Sequence, residues 1–116
     1  MDAHVDKAVI AGLKDFMGDQ YPVLLDAYLV DSDQRIALAE QAIAEHDMAA
    51  LSLAIHSFKG SCGNIGALEL ARLCLELELA VDQQSQPMID AVFTQIKTEL
   101  AAVKSIFLLE IQASST

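Results

Sequence analysis

The sequence predicts an all-α fold: an antiparallel up-down-up-down four-helix bundle with a short N-terminal helix capping one end. Three observations lead there. Apolar residues recur at spacings of three and four, with no strand-like alternation. Only two prolines and five glycines interrupt the 116 residues. The breaks between apolar stripes are short, and short connections favour antiparallel neighbours.

Each element has its own markers. Val5, Val9, Leu13 and Phe16 outline a first helix over about residues 4–17, stopped near Gly18. Asp19 or Gln20 is placed to cap a second helix over about 20–45, and Pro22 falls in its first turn, where a missing N–H costs nothing. Its stripe is Leu25, Tyr28, Leu29, Ile36, Ala39 and Ile43. His46-Asp47 reads as a turn, with Asp47 as the next N-cap. The third helix, about 48–65, has the cleanest stripe: Leu51, Ile55, Phe58, Cys62 and Ile65. The fourth, about 67–83, is carried by Leu70, Leu73, Cys74, Leu77 and Val81. The polar run Gln83-Gln84-Ser85-Gln86-Pro87 precedes a long fifth helix, about 87–112, whose apolar stripe runs from Ile89 to Phe107. Ala113-Ser114-Ser115-Thr116 reads as a frayed tail. Residues 1–116 are expected to form one domain around one core.

Composition narrows the function classes. At 53% apolar residues, the chain can pack a core, which argues against disorder. The apolar runs are too short to span a bilayer. Met1-Asp2-Ala3-His4 lacks the basic start and apolar stretch of a secretory signal, so a cytoplasmic protein is expected. A formal charge of −10 repels phosphate backbones and anionic lipid heads, which argues against nucleic acid and membrane partners. Cys62 and Cys74 both fall on apolar helix faces, and two reduced core thiols are expected there.

The third helix breaks its own pattern. It reads Ile55-His56-Ser57-Phe58-Lys59-Gly60-Ser61-Cys62-Gly63-Asn64-Ile65-Gly66, with three of the chain's five glycines. Gly60 and Gly63 sit mid-helix, where each costs roughly 1 kcal/mol relative to Ala. With the apolar stripe centred at zero, steps of about 100° place His56 at about 140°, Gly63 at about 120°, Gly60 at about 180° and Lys59 at about 80°. His56 therefore points outward beside bare backbone, with Lys59 one turn away. Lys59 is also the only Lys or Arg between Ile36 and Ala71. A neutral imidazole is a nucleophile near pH 7, since its ordinary pKa is about 6.5. A phosphoryl group on its ring would bring close to two negative charges, and a cation a turn away would offset some of them. The two bland alternatives are a surface histidine and glycines that serve close helix packing.

These residues resemble a known family. His56-Ser57-Phe58-Lys59-Gly60-Ser61, followed by Asn64-Ile65-Gly66, is similar to the signature of histidine phosphotransfer (HPt) domains: His, any residue, apolar, Lys, Gly, Ser, then a small-residue turn ending in Gly. Leu73-Cys74 and Leu77-Glu78 resemble that family's next helix, and Phe16, Tyr21-Pro22 and Leu25 its first helix and turn. The resemblance covers roughly residues 5–107, and implies a phosphocarrier of a multistep two-component phosphorelay rather than an enzyme. It makes His56 the phosphoacceptor and Lys59 the neighbouring cation, with Gly60, Ser61, Gly63 and Gly66 contributing to binding, close approach and tight packing. The implied partners are the receiver domains of a hybrid sensor histidine kinase and of a response regulator. Magnesium would sit on the receiver, and this chain would bind no cofactor and act as a monomer. One feature departs from the pattern: some members place a Gln or a basic residue on the adjacent helix, where this chain has Glu78 and Asp82. Glu78 would either repel the phosphoryl group or hold the ring through its N–H.

His4, near the terminus, and His46, at a turn, are weak candidates for the same chemistry. No histidines share an i, i+4 spacing and no Glu-x-x-His pair occurs, so no metal site is expected. No phosphate-cradling loop of the nucleotide-binding type is present. An HPt-like helical adaptor that binds receivers without phosphotransfer is the competing function, and the intact His56-Lys59 pair argues against it.

Overall fold

The computed structural model describes residues 4–114, which form α1 (Lys7–Met17), α2 (Tyr21–Ala44), α3 (Met48–Asn64), α4 (Leu68–Asp82) and α5 (Gln86–Ser114), with a 3₁₀ turn at Gly18–Gln20. There are no strands among the described residues. The long axis of 46 Å is set by α5, whose 29 residues rise about 44 Å.

The helices run antiparallel, as the contacts between them show. Glu40 meets Lys97 and Asp33 meets Lys104, so α2 and α5 run in opposite directions. Tyr28 reaches Cys62 and Arg35 reaches Ser57, which does the same for α2 and α3. All three tight turns between helices are closed by one device. His46, Gly66 and Gln84 adopt positive φ, at 56°, 83° and 55°. The next residue's N–H then bonds back five residues: Asp47 to Ala42 at 2.9 Å, Ala67 to Cys62 at 2.9 Å, Ser85 to Ala80 at 3.2 Å. This pairing satisfies carbonyls that a helix end otherwise leaves open. Asp47 also caps α3 as expected, accepting from the Ala50 N–H at 3.0 Å.

The stripes meet in one core. Leu25, Leu51, Ile55, Phe58, Cys62, Leu70, Leu77, Ile96, Val103 and Phe107 are essentially inaccessible. Tyr28 packs parallel to Phe58 and edge-on to Phe107. Ser32, the one buried polar residue among those described, donates its hydroxyl to the Tyr28 carbonyl at 2.7 Å. No described helix is long and apolar enough to cross a membrane.

Three sequence expectations need correction. The first helix begins only at Lys7, because Asp6 caps it by accepting from the N–H groups of Ala8 and Val9. Its stripe also fails at Phe16, which is 88% exposed, while Val5 is buried ahead of the cap. Neither Asp19 nor Gln20 caps α2 with its side chain, since the 3₁₀ turn feeds directly into the helix and the Tyr21 N–H bonds to Gly18. At the other end, α5 continues through Ala113 and Ser114, and the Ser114 hydroxyl donates to the Glu110 carbonyl at 2.9 Å. Ser115 and Thr116 lie outside the described residues.

α1 lies as a lid over the end holding the α3–α4 turn. The Asp6 N–H donates to the Gly66 carbonyl at 2.8 Å. A Cβ on Gly66 would lie 3.0 Å from the Val9 side chain, so positive φ and close packing both require glycine there. Gly60, by contrast, has helical backbone and open space around it. Gly66→Ala is expected to lose about 1–3 kcal/mol of stability, and Gly60→Ala to gain about 0.5–1 kcal/mol. Urea unfolding of both variants checks the opposite signs.

Candidate functional site

The apolar face of α3 fixes what its other face presents. Ile55 and Phe58 are 1% and 0% exposed, which turns His56, between them in sequence, to the surface with 70% of its side chain exposed. Glycines 60 and 63 are exposed on the same side, and a Cβ on either would meet nothing within 4 Å. They therefore do not serve packing among this chain's own helices. Bare helix surface flanks His56 where another molecule would approach.

Glu78 of α4 joins the two charged or titratable side chains of this face. One carboxylate oxygen lies 3.2 Å from His56 Nδ1, and the other 2.6 Å from Lys59 Nζ. A carboxylate only accepts hydrogen bonds, so Nδ1 is the protonated nitrogen when the ring is neutral. The lone pair then resides on Nε2, at the opposite edge of the exposed ring. Burial pushes the Glu78 carboxyl up, but the bonds and charges of Lys59 and His56 outweigh it, and the group titrates below the ordinary carboxylate range. Lys59, the cation that the sequence places a turn from His56, has its charge matched by Glu78. Asp82, a turn further on, is exposed. Arg72 is turned to its own helix, held by Glu69 and Glu76.

Sequence reasoning missed Arg35. This α2 residue donates to the Ser57 hydroxyl, beside His56, and pairs with Asp31 at 3.3 Å. It lies one residue outside the stretch in which Lys59 is the only cation, and the α2–α3 register alone brings it near. Ser61 and Asn64 continue the Ser57 edge of α3 into a shallow groove of about 470 Å³ shared with α1 and α2. Phe16, Leu13 and Leu24 line it, and the exposed Phe16 ring gives the site an apolar margin.

The remaining candidates lie apart from this face. His46 sits exposed at the α2–α3 turn. His4 is not loose, because its Nδ1 lies 2.7 Å from a Glu99 carboxylate oxygen and ties the N-terminal segment to α5. Cys62 and Cys74 are free, buried thiols beneath the site. Hydrogen bonding to Cys62 and burial raise the Cys74 thiol, which stays protonated and unreactive. No three His, Cys, Asp or Glu residues gather as metal ligands among the described residues.

The arrangement is an exposed imidazole with its inner nitrogen held, a lysine at hand and cleared backbone around it. The family model of the Hpt domain matches residues 23–106. A crystal structure of histidine-containing phosphotransfer protein B from Pseudomonas aeruginosa is similar over 97% of this chain and 98% of its own, with a TM-score of 0.93 and 37% identity. The maize histidine-containing phosphotransfer protein ZmHP2 shares the fold at 15% identity, over 97% of this chain and 88% of its own, with a TM-score of 0.85. No curated protein sequence gives a significant match.

The Glu78 bridge has a testable pH signature. A carboxyl whose folded pKa is depressed adds stability that is complete above its unfolded pKa, about 4.3, and is lost as pH falls through the folded value. In Lys59→Met the Glu78 carboxyl should titrate at higher pH than in the wild type, and the stability gap between the two proteins should narrow as the pH is lowered through that range. Carbon-detected NMR titration and urea melts at several pH values measure both.

Proposed function

Because the chain belongs to the Hpt domain family, we propose that it is a monomeric phosphocarrier of a multistep two-component relay, with His56 as the phosphoacceptor. The observation that carries the proposal is the Glu78 contact on His56 Nδ1, which leaves Nε2 as the exposed nucleophile. In the accepting step, Nε2 attacks the phosphorus of a receiver's aspartyl phosphate. The N–P bond forms, the acyl P–O bond breaks, and the receiver's carboxylate leaves. The ring becomes cationic as Nε2 shares its lone pair, and Glu78 sits where it stabilises that charge through the Nδ1–H. Of the two roles open to Glu78, holding the ring is the one its position supports. Donation to the response regulator is the same exchange in reverse.

Lys59 supplies the nearby cation. Its engagement with Glu78 means that an arriving phosphoryl group competes for the ammonium rather than finding it free. Magnesium belongs to the receiver's active site in this reading, and the chain's own residues only bind, orient and hold the phosphoryl group. The exposed glycines admit the receiver's backbone, and Phe16 with the α1–α2–α3 groove offers it an apolar contact. A carrier with these parts needs no kinase activity and no cofactor of its own, and it operates in the cytoplasm.

Incubation with a phosphorylated receiver domain should transfer acid-labile, base-stable label to the wild-type chain and none to His56→Gln. Docking without label would support the adaptor instead. Lys59→Ala should slow transfer by about tenfold or more, the effect of losing one charge-assisted hydrogen bond. Phe16→Ala should weaken receiver binding several-fold while leaving the bound-state transfer rate near that of the wild type. Stopped-flow and quench kinetics separate the two effects.

A further inference from the structure

A second groove lies on the far flank of α1, away from His56. Ile10 and Ala11 of α1 line one wall, and Ile106, Phe107 and Leu109 of α5 the other, enclosing about 580 Å³. Leu109 is 67% exposed, and Ile10 and Ile106 beside it are only partly covered. Lys7 and Lys14 also line the groove, from the α1 side.

These two lysines stand out electrostatically. The chain has seven Lys and Arg residues against a formal charge of −10. Arg35, Lys59, Arg72, Lys97 and Lys104 each form an ion pair with a carboxylate. Lys7 and Lys14 form none among the described residues, and both are exposed. The only carboxylate among the described residues that line the groove, Glu110, accepts the Tyr21 hydroxyl at 2.9 Å through one oxygen. Among the described residues, the two lysines without an ion pair thus both line one apolar groove.

From this charge complementarity we infer that the α1–α5 groove docks an acidic amphipathic helix of a partner protein. Lys7 and Lys14 are seven residues apart, so their Cα atoms are separated by about 10 Å along α1. Two carboxylates one heptad apart on a helix lying alongside match that spacing, with an apolar stripe between them filling the groove. A single-headed anionic amphiphile would use one lysine and leave the other unmatched. A second copy of this chain would bring its own charge of −10 against the first. The site is independent of the phosphotransfer face, so it can hold the carrier near an assembly while His56 stays open.

The probe is a synthetic helix with a leucine stripe and two glutamates seven positions apart, titrated into the full chain by NMR and calorimetry. Signals from residues 7–14 and 106–113 should shift. Binding should weaken with added salt and fall by about tenfold in Lys7→Glu/Lys14→Glu, the size expected for two exposed ion pairs. The same double variant should accept phosphoryl label at the wild-type rate, which separates this site from the carrier function. Absence of peptide binding, equal binding of a peptide with lysines in place of the glutamates, or unchanged affinity in the double variant would overturn the inference. So would tighter binding of laurate than of the peptide, or concentration-dependent dimerisation that shifts the same residues.

Discussion

The phase of α3 is the constraint from which the rest follows. Leu51, Ile55, Phe58 and Cys62 are buried to within 1% of completely. Burying each large apolar side chain is worth about 1.5–3 kcal/mol. The half-buried Glu78 contacts add less, since much of their Coulombic gain offsets the desolvation of the carboxylate. Packing therefore decides where His56 points, and electrostatics only orients its ring. A rotation of α3 that hid His56 would expose Phe58 or Ile55, and no surface interaction could offset that.

On this fixed frame the site is electrostatically quiet at rest. Lys59 and Glu78 offset each other's charge. A phosphoryl group on Nε2 places nearly two negative charges on its oxygens and a positive charge on the ring. The Lys59–Glu78 pair can meet it in two ways, with the ammonium facing the phosphoryl oxygens and the carboxylate facing the cationic ring. A pair of opposite charges thus suits a carrier that must both accept and release. A cluster of cations would favour the phosphorylated state alone.

Much of this was legible in the sequence. The stripe on α3 gave the outward direction of His56, and the Asp47 cap followed from residue type. Other features depended on tertiary contacts that periodicity does not encode. His46 and Gln84 take positive φ at turns that would suggest glycine, because the helix-closing hydrogen bonds outweigh the local preference. Phe16 belongs to the apolar pattern of α1 yet stands exposed, since an 11-residue lid with no fully buried residue covers the bundle end only partly. The contacts of Arg35 and Glu78 depend on helix registers set by the turns. The sequence named Glu78 as a neighbour of His56, but only the α3–α4 register shows it bridging His56 and Lys59.

The central claim is that Glu78 holds Nδ1 and leaves Nε2 as the phosphoryl-carrying atom. Nitrogen-15 NMR of the imidazole in the phosphorylated protein tests it directly. The account predicts a phosphorus coupling on Nε2 and a protonated Nδ1 of His56. A phosphoryl group on Nδ1, or on any residue other than His56, would contradict it.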